Sequence, residues 1–268
     1  MYTVKNYVLA DSLEQAYELK QKSRNNIIVG GNLWLKMGHR NILNAIDLSL
    51  LHLDQIEEDE DGFHIGCMVT LRELETHAGL NQYFDNLFQE AVKHIVGVQF
   101  RNCATVGGSV FPRFGFSDVL TAFLACDSYV DLCKGGRIPI GEFVKRPLDT
   151  DILTGIYIMK DDRRVCYQSF RMTKTDFPTL TCALIRKKEK YAVVLGARPK
   201  QAVIIDDEEL LHPEDPSEQK RFAEEITEKV EFGTNMRGSA QYRKALAKIF
   251  IERGIETLQK ESTEEQSC

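Results

Sequence analysis

Apolar and polar positions alternate over Thr3–Leu9, which predicts a strand. Ser12 follows with Gln15 three residues on, the spacing of a capping box. Leu13, Ala16, Tyr17 and Leu19 then form the apolar face of a helix. Residues 26–29 are a short apolar strand that runs straight into Gly30-Gly31. After Leu33-Trp34-Leu35-Lys36-Met37 a further strand is expected around Ile42 to Leu48. Strand, helix, strand and glycine turn in this order point to α/β architecture at the start of the chain.

The pattern then changes. Residues 55–62 read as the acidic tip of a hairpin, leading to a strand from His64 to Val69. Thr70 and Glu73 make a second capping box, for a helix through His77. An amphipathic helix is expected from Tyr83 to Ile95, and an apolar one from Val119 to Cys126 headed by Ser117-Asp118. Tyr129 to Cys133 reads as a strand closed by the turn Lys134-Gly135-Gly136-Arg137. Residues 152–159 and 165–171 read as strands paired around Lys160-Asp161-Asp162, and residues 179–185 pair with 191–197. This meander is antiparallel, so a domain boundary is expected near residue 160 to 170, giving domains 1–163 and 164–268. Helices over 216–229 and 239–259, the second capped by Ser239, precede a frayed tail over 261–268. The whole is an α+β chain in two parts.

Composition removes several function classes. The 268 residues are 43% hydrophobic and 28% charged, ordinary for a soluble globular protein. A net charge of −6 argues against non-specific nucleic-acid binding. No apolar run reaches the ~20 residues of a membrane span, and no signal peptide is visible, so a cytoplasmic protein is expected. The seven cysteines include no CxxC pair, and the six histidines no HxxxH or HExxH. Neither a zinc site nor an iron–sulfur cluster of the chain's own is expected. The acidic residues at 57–61 lack calcium-loop spacing and read as a solvated tip.

What remains is two glycine pairs, Val29-Gly30-Gly31-Asn32-Leu33 and Thr105-Val106-Gly107-Gly108-Ser109. Paired glycines let backbone amides come close to a ligand, and Thr105 and Ser109 add hydroxyl donors. Two such stretches suit a pyrophosphate held between amide nests. Neither is a Rossmann fingerprint or a P-loop. Asp118 caps a helix and complements its dipole, and an acceptor-only carboxylate equally suits a ribose hydroxyl or an adenine amine; both roles stay open. Trp34, the one tryptophan, reads as core or as a cofactor contact.

With these residues in view, nearly the whole chain resembles the FAD-binding medium subunit of the molybdenum hydroxylases, the xanthine dehydrogenase and carbon monoxide dehydrogenase family with its PCMH-type FAD domain. Val29-Gly30-Gly31-Asn32-Leu33-Trp34-Leu35 resembles that family's first flavin loop. Ala104-Thr105-Val106-Gly107-Gly108-Ser109 with Ser117-Asp118 resembles its second. Asp151-Ile152-Leu153 resembles the strand bordering the flavin, and Arg237-Gly238-Ser239-Ala240-Gln241-Tyr242-Arg243 the family's R-G-S-x-x-Y-R.

The resemblance implies a two-lobed FAD domain followed by a smaller antiparallel-sheet-plus-helices domain. It implies that residues 28–34 (Ile28, Val29, Gly30, Gly31, Asn32, Leu33, Trp34) and Ala104, Thr105, Gly107, Gly108 and Ser109 wrap the FAD pyrophosphate. Ser117 and Asp118 would hold the adenosine end, and Ile95 and Leu153 would line the ring system. Leu33 stands where relatives often carry an acidic or hydroxyl residue, and Gln168 near where many carry a lysine beside the cofactor. These departures leave FAD in place and put NAD as acceptor in question. The implied partners are a [2Fe-2S] subunit and a molybdopterin-binding large subunit, with chemistry on the organic substrate in the latter and electron transfer here. No catalytic acid, base or metal ligand is assigned to this chain. A self-sufficient flavin oxidoreductase of the same fold and a nucleotide-binding regulator are the alternatives.

Overall fold

The computed structural model describes residues 2–265. Its strands are β1 (Thr3–Leu9), β2 (Asn26–Val29), β3 (Asn41–Asp47), β4 (Ile56–Glu58), β5 (Gly62–Gly66), β6 (Ser128–Leu132), β7 (Gly136–Pro139), β8 (Leu153–Met159), β9 (Arg164–Phe170), β10 (Leu180–Lys187), β11 (Lys190–Gly196) and β12 (Val203–Glu209). Its helices are α1 (Leu13–Lys22), α2 (Leu71–Thr76), α3 (Ala78–Tyr83), α4 (Leu87–Val92), α5 (Val98–Arg101), α6 (Val106–Val110), α7 (Asp118–Leu124), α8 (Ile140–Lys145), α9 (Pro216–Glu228) and α10 (Ala240–Glu265). They form two compact units. The first takes residues 2–74, 97–112 and 127–160, the second 75–96, 113–126 and 161–265. Among the described residues no helix is long and apolar enough to cross a membrane.

The first unit holds two sheets. β1, β3 and β2 lie side by side in that order, all parallel. An asparagine ladder crosses the three strands: Asn6 Nδ2 donates to Asn44 Oδ1 at 3.1 Å, and Asn44 Nδ2 to Asn26 Oδ1 at 2.8 Å. Asn26 Nδ2 then donates to the Leu19 carbonyl at the end of α1, so the ladder also sets the helix against the sheet. Ser12 caps α1 as its sequence indicates, accepting from Gln15 N at 3.2 Å. The second sheet runs β4-β5-β8-β6-β7, all antiparallel. Across it, Asp131 accepts from Arg137 Nε at 2.7 Å and lies 3.3 Å from His64 Nε2. Burial pushes the Asp131 carboxyl up, but the His64 and Arg137 hydrogen bonds and charges outweigh it and hold the group at about 2.

The second unit is built on the antiparallel meander β12-β11-β10-β9. Leu180, Leu184, Val193 and Leu195 from the sheet pack with Phe222, Ile226, Phe250, Ile251 and Ile255 from α9 and α10 in one core. Arg243 on α10 is fully buried. Its guanidinium donates to the carbonyls of Thr179 (2.8 Å) and Gly233 (2.9 Å), to that of Gly238, and to Asn235 Oδ1 (2.6 Å). The last arginine of the R-G-S-x-x-Y-R stretch is thus a clamp between the mouth of β10 and the turn before α10.

Two expectations fail. Residues 152–159 and 165–171 are not a hairpin. β8 lies between β5 and β6 in the first unit, while β9, at the edge of its sheet among the described residues, pairs with β10. Both strands could pair with either neighbour on local grounds, and burial in separate sheets decides. The expected helix from Tyr83 to Ile95 is also broken. Asp85 and Asn86 take left-handed backbone (φ 50° and 58°), which ends α3 and starts α4 afresh. Smaller differences are a shift of β5 to Gly62–Gly66 and the continuation of α10 through Glu265 into the region expected to fray; residues 266–268 lie outside the described ones.

Replacing Arg243 with Leu strips donors from three carbonyls, that of Thr179 fully buried, and should cost roughly 3 kcal/mol or more, read as a lowered thermal midpoint. The stability that Asp131 contributes has the sign of a depressed carboxyl. It should be whole above about pH 4 and lost as the pH falls toward about 2. Asp131→Asn should flatten that part of the stability–pH curve, and an unchanged acid limb would refute the assignment.

Candidate functional site

The two glycine stretches meet within the first unit. A Cβ built on Gly31 would lie 1.7 Å from the Cys103 carbonyl oxygen, and one on Gly30 would lie 2.5 Å from Thr105 Oγ1. Nothing larger than glycine fits at this crossing, so the first pair is needed for the packing of one loop on the other. The second stretch is held from its far side too. Leu71 N donates to Ala104 O at 2.8 Å and Val106 N to Val69 O at 2.9 Å, with Thr70 and Thr105 bridged antiparallel. Thr70 itself caps α2, accepting from Glu73 N, while Glu73 Oε2 accepts from Thr70 N at 2.8 Å.

The two stretches differ in their free donors. Thr105 caps α6, so Gly107-Gly108 lies in a short helical turn and not in an open loop. Gly107 N donates to Cys67 O (2.8 Å), Gly108 N to Thr105 Oγ1 (3.2 Å) and Ser109 N to Thr105 O (3.1 Å). The Ser109 hydroxyl donates to Thr105 O as well. The second stretch is therefore not an amide nest. The amides of Gly30, Gly31, Asn32 and Leu33, by contrast, have no acceptor among the described residues. Asn32 has left-handed backbone (φ 59°), the conformation found in backbone nests that bind anions.

Asn32 Oδ1 is buried with no hydrogen-bond partner among the described residues. A hydroxyl of a bound ligand would satisfy it. Asn32 also borders a cleft of about 410 Å³ whose walls include Tyr2, Lys5, Tyr7 and Ala45. Gly108 is exposed, and its Cβ would meet only Thr105 Oγ1 within 4 Å. These features fit a dinucleotide whose pyrophosphate takes the first loop's amides.

The remaining candidates are placed as follows. Ile28 and Val29 end β2, with Val29 2% exposed, and Trp34 is 45% exposed just after the loop. Leu153 opens β8 and is buried. These belong to the first unit, with residues 30–33 and 104–109. Ile95, Ser117, Asp118 and Gln168 belong to the second. Ile95 is half-buried, following α4. Ser117 caps α7, accepting from Leu120 N at 3.1 Å. Gln168 Nε2 donates to Phe250 O at 2.7 Å and so ties β9 to α10.

Asp118 is 4% exposed. Its Oδ1 accepts from the Tyr167 hydroxyl and its Oδ2 from Arg171 Nη2, both at 2.7 Å. Burial pushes its carboxyl up, against the pull of the Arg171 charge and the Tyr167 hydrogen bond. Burial and the Asp118 charge push the Tyr167 phenol well above its ordinary value. The hydrogen bonds of Tyr167 and Arg171 to Asp118 were not legible in the sequence, nor was that of Cys67, whose carbonyl pins Gly107. Each acts through a partner 40 to 53 positions away, and nothing in its local pattern marks it.

Residues 2–160 match the family described as FAD binding domain in molybdopterin dehydrogenase. That stretch contains both glycine loops, and the chain belongs to this family, carrying its FAD-binding domain. The uncharacterized protein YgfM of Escherichia coli (strain K12) is 24% identical over 260 residues, covering 92% of this chain and 94% of its own. The nicotine 6-hydroxylase medium subunit of Paenarthrobacter nicotinovorans is 23% identical over 270 residues, covering 93% and 95%. Among solved structures, quinoline 2-oxidoreductase from Pseudomonas putida 86 has a chain that superposes with a TM-score of 0.83 at 18% identity, over 94% of this chain and 95% of that one. The mixed helix-and-sheet fold is therefore shared with that chain.

Gly31→Ala should push the two loops apart and lower the thermal midpoint by several degrees, because the clashing atom is backbone that cannot rotate away. A Gly31→Ala protein that melts with the wild type would refute the tight crossing.

Proposed function

We propose that the chain is the FAD-carrying medium subunit of a molybdenum hydroxylase complex, passing electrons from [2Fe-2S] centres in a partner subunit to NAD or another acceptor. The observation that carries the reading is the set of unused amides at Gly30 to Leu33, fixed by the crossing of Gly31 on Cys103. Membership of the FAD-binding family supports it, as does the similarity to a medium subunit of a nicotine hydroxylase. A molybdopterin-binding large subunit is the second partner on this reading and holds the chemistry on the organic substrate.

FAD supplies reversible electron storage when bound. The chain's own residues bind and orient it. The first loop, Gly30 to Trp34, wraps the pyrophosphate and donates amides to it, Asn32 Oδ1 accepts from a hydroxyl, and Leu153 and Ile95 are assigned to the ring system. Ile28, Val29, Ala104, Thr105, Gly107 and Ser109 form the walls that hold the loops in register, and Gly108 leaves room for the cofactor. Ser117, Asp118 and Gln168 complete the proposed set. The chain is also proposed to consist of an FAD-binding module, 1–163, and a C-terminal module, 164–268.

Two tests follow. Gly108→Val should fold, since only the Thr105 hydroxyl stands near, and should purify without flavin. Gly107→Val is the wrong variant for this purpose, because its Cβ would lie 2.8 Å from the Cys67 carbonyl and disturb folding. Wild-type flavin content in folded Gly108→Val would remove the cradle. For the complex, affinity isolation of the tagged chain from its own host should bring down iron and molybdenum with the flavin. A flavin-loaded chain isolated with neither metal would overturn the partner assignment.

A further inference from the structure

We infer that the cleft beside Asn32 receives the adenosine half of the dinucleotide, with Asn32 Oδ1 taking a ribose hydroxyl and Lys5 and Tyr2 offering donors to the base. The inference rests on the proposed FAD binding and deepens it. Every residue it uses lies in the first unit. The cleft is made by the sheet β1-β3-β2 and the loop that leaves it. Val29 ends β2, and the chain turns from there through Gly30 and Gly31 to Asn32. Val29 and Asn32 both line the cleft, so it adjoins the unspent amides of Gly30 to Leu33. Its floor is apolar: Val29, Ile42 and Ala45 are buried in one cluster. The hollow has a cause in the sequence. Tyr7, Ala45 and Ile27 stand in one register row across β1, β3 and β2. The middle position carries the smallest side chain of the three, so the centre of the row is sunk. The resulting space, about 410 Å³, is of a size that holds small ring ligands.

The polar groups around this floor are of both kinds. Asn32 Oδ1 is buried without a partner among the described residues and needs a donor. The Lys5 ammonium and the Tyr2 hydroxyl, also in the lining, have no hydrogen-bond or ion-pair partner among the described residues. Tyr7 is different. Its hydroxyl donates to Asp47 Oδ2, while Asp47 Oδ1 accepts from Ser49 N at 2.8 Å. The Asp47 hydrogen bond pushes the Tyr7 phenol up to about 12, so Tyr7 is a neutral wall fixed in place. One orphaned acceptor and two available donors over an apolar floor suit a nucleoside. The ribose has hydroxyls to donate, and the ring nitrogens of the base accept. The flavin half is left to Leu153, which opens β8 in the other sheet of this unit. The resemblance would give the adenosine end to Ser117 and Asp118 instead, and the two assignments place the adenine against different stretches of chain.

The test uses FAD carrying a photoreactive azido group on its adenine. The full chain is loaded, illuminated and digested, and the labelled peptide is identified by mass spectrometry. The cleft predicts labelling within residues 2–7 or 29–45. Labelling anywhere else, around Asp118 included, would overturn the inference. Affinity gives a second reading. Lys5→Gln changes an exposed side chain, and Asn32→Gly keeps the left-handed backbone at no steric cost, so both variants should fold. Each should weaken FAD roughly tenfold, measured by quenching of flavin fluorescence. Wild-type affinity in both variants would overturn the inference as well. Failure of the proposed function has a different signature: the wild type would take up no FAD at all. Azido-ADP, which lacks the flavin, then decides the cleft alone. Its labelling of the same residues would keep the adenosine site, and no labelling there would remove it.

Discussion

The crossing of Gly31 on the Cys103 carbonyl is the constraint on which the proposed site depends. It requires two backbones at a separation only glycine permits. Thr105 joins the same contact through Gly30, while its main chain is bridged to Thr70. A helix cap, a loop crossing and a strand-like bridge therefore converge on a few residues. Their combined effect is to leave four amides pointing at no acceptor, which is costly unless solvent or a ligand takes them.

The two glycine pairs do different work. In the first, glycine makes room for protein and the neighbouring amides stay unspent. In the second, Gly107 makes room for Cys67 and the amides of the turn are consumed within the fold, so that Gly108 alone faces open space. Binding capacity is thus concentrated in Gly30 to Leu33, with α6 as the buttress. Such a division is economical: the donors that bind are kept separate from those that hold the binder in place.

Features that local chemistry decides were legible in the sequence. The caps at Ser12, Thr70 and Ser117, the strand Asn26–Val29 and the β10–β11 hairpin are all set by neighbours a few residues away. The glycine motifs were legible as motifs. Their unequal donors were not, because the carbonyls of Cys67 and Val69 that take Gly107 N and Val106 N arrive from 37 to 40 positions earlier. Pairing of β8 failed for the same reason. The apolar run of β8 carries no label for its partner, and local order suggested β9 where β5 and β6 were chosen. The break at Asp85-Asn86 was masked by apolar spacing that continues across it. Asp118 could be read as a cap or a ligand, and only the fold brings Tyr167 and Arg171 to its two oxygens.

The most direct measurement is the visible absorption spectrum of the purified chain, with chromatographic identification of whatever cofactor heat releases. The account predicts the two bands of an oxidised flavin and release of FAD in about one equivalent per chain. A colourless chain that also fails to take up added FAD would contradict it, and the unspent amides of Gly30 to Leu33 would then need another ligand.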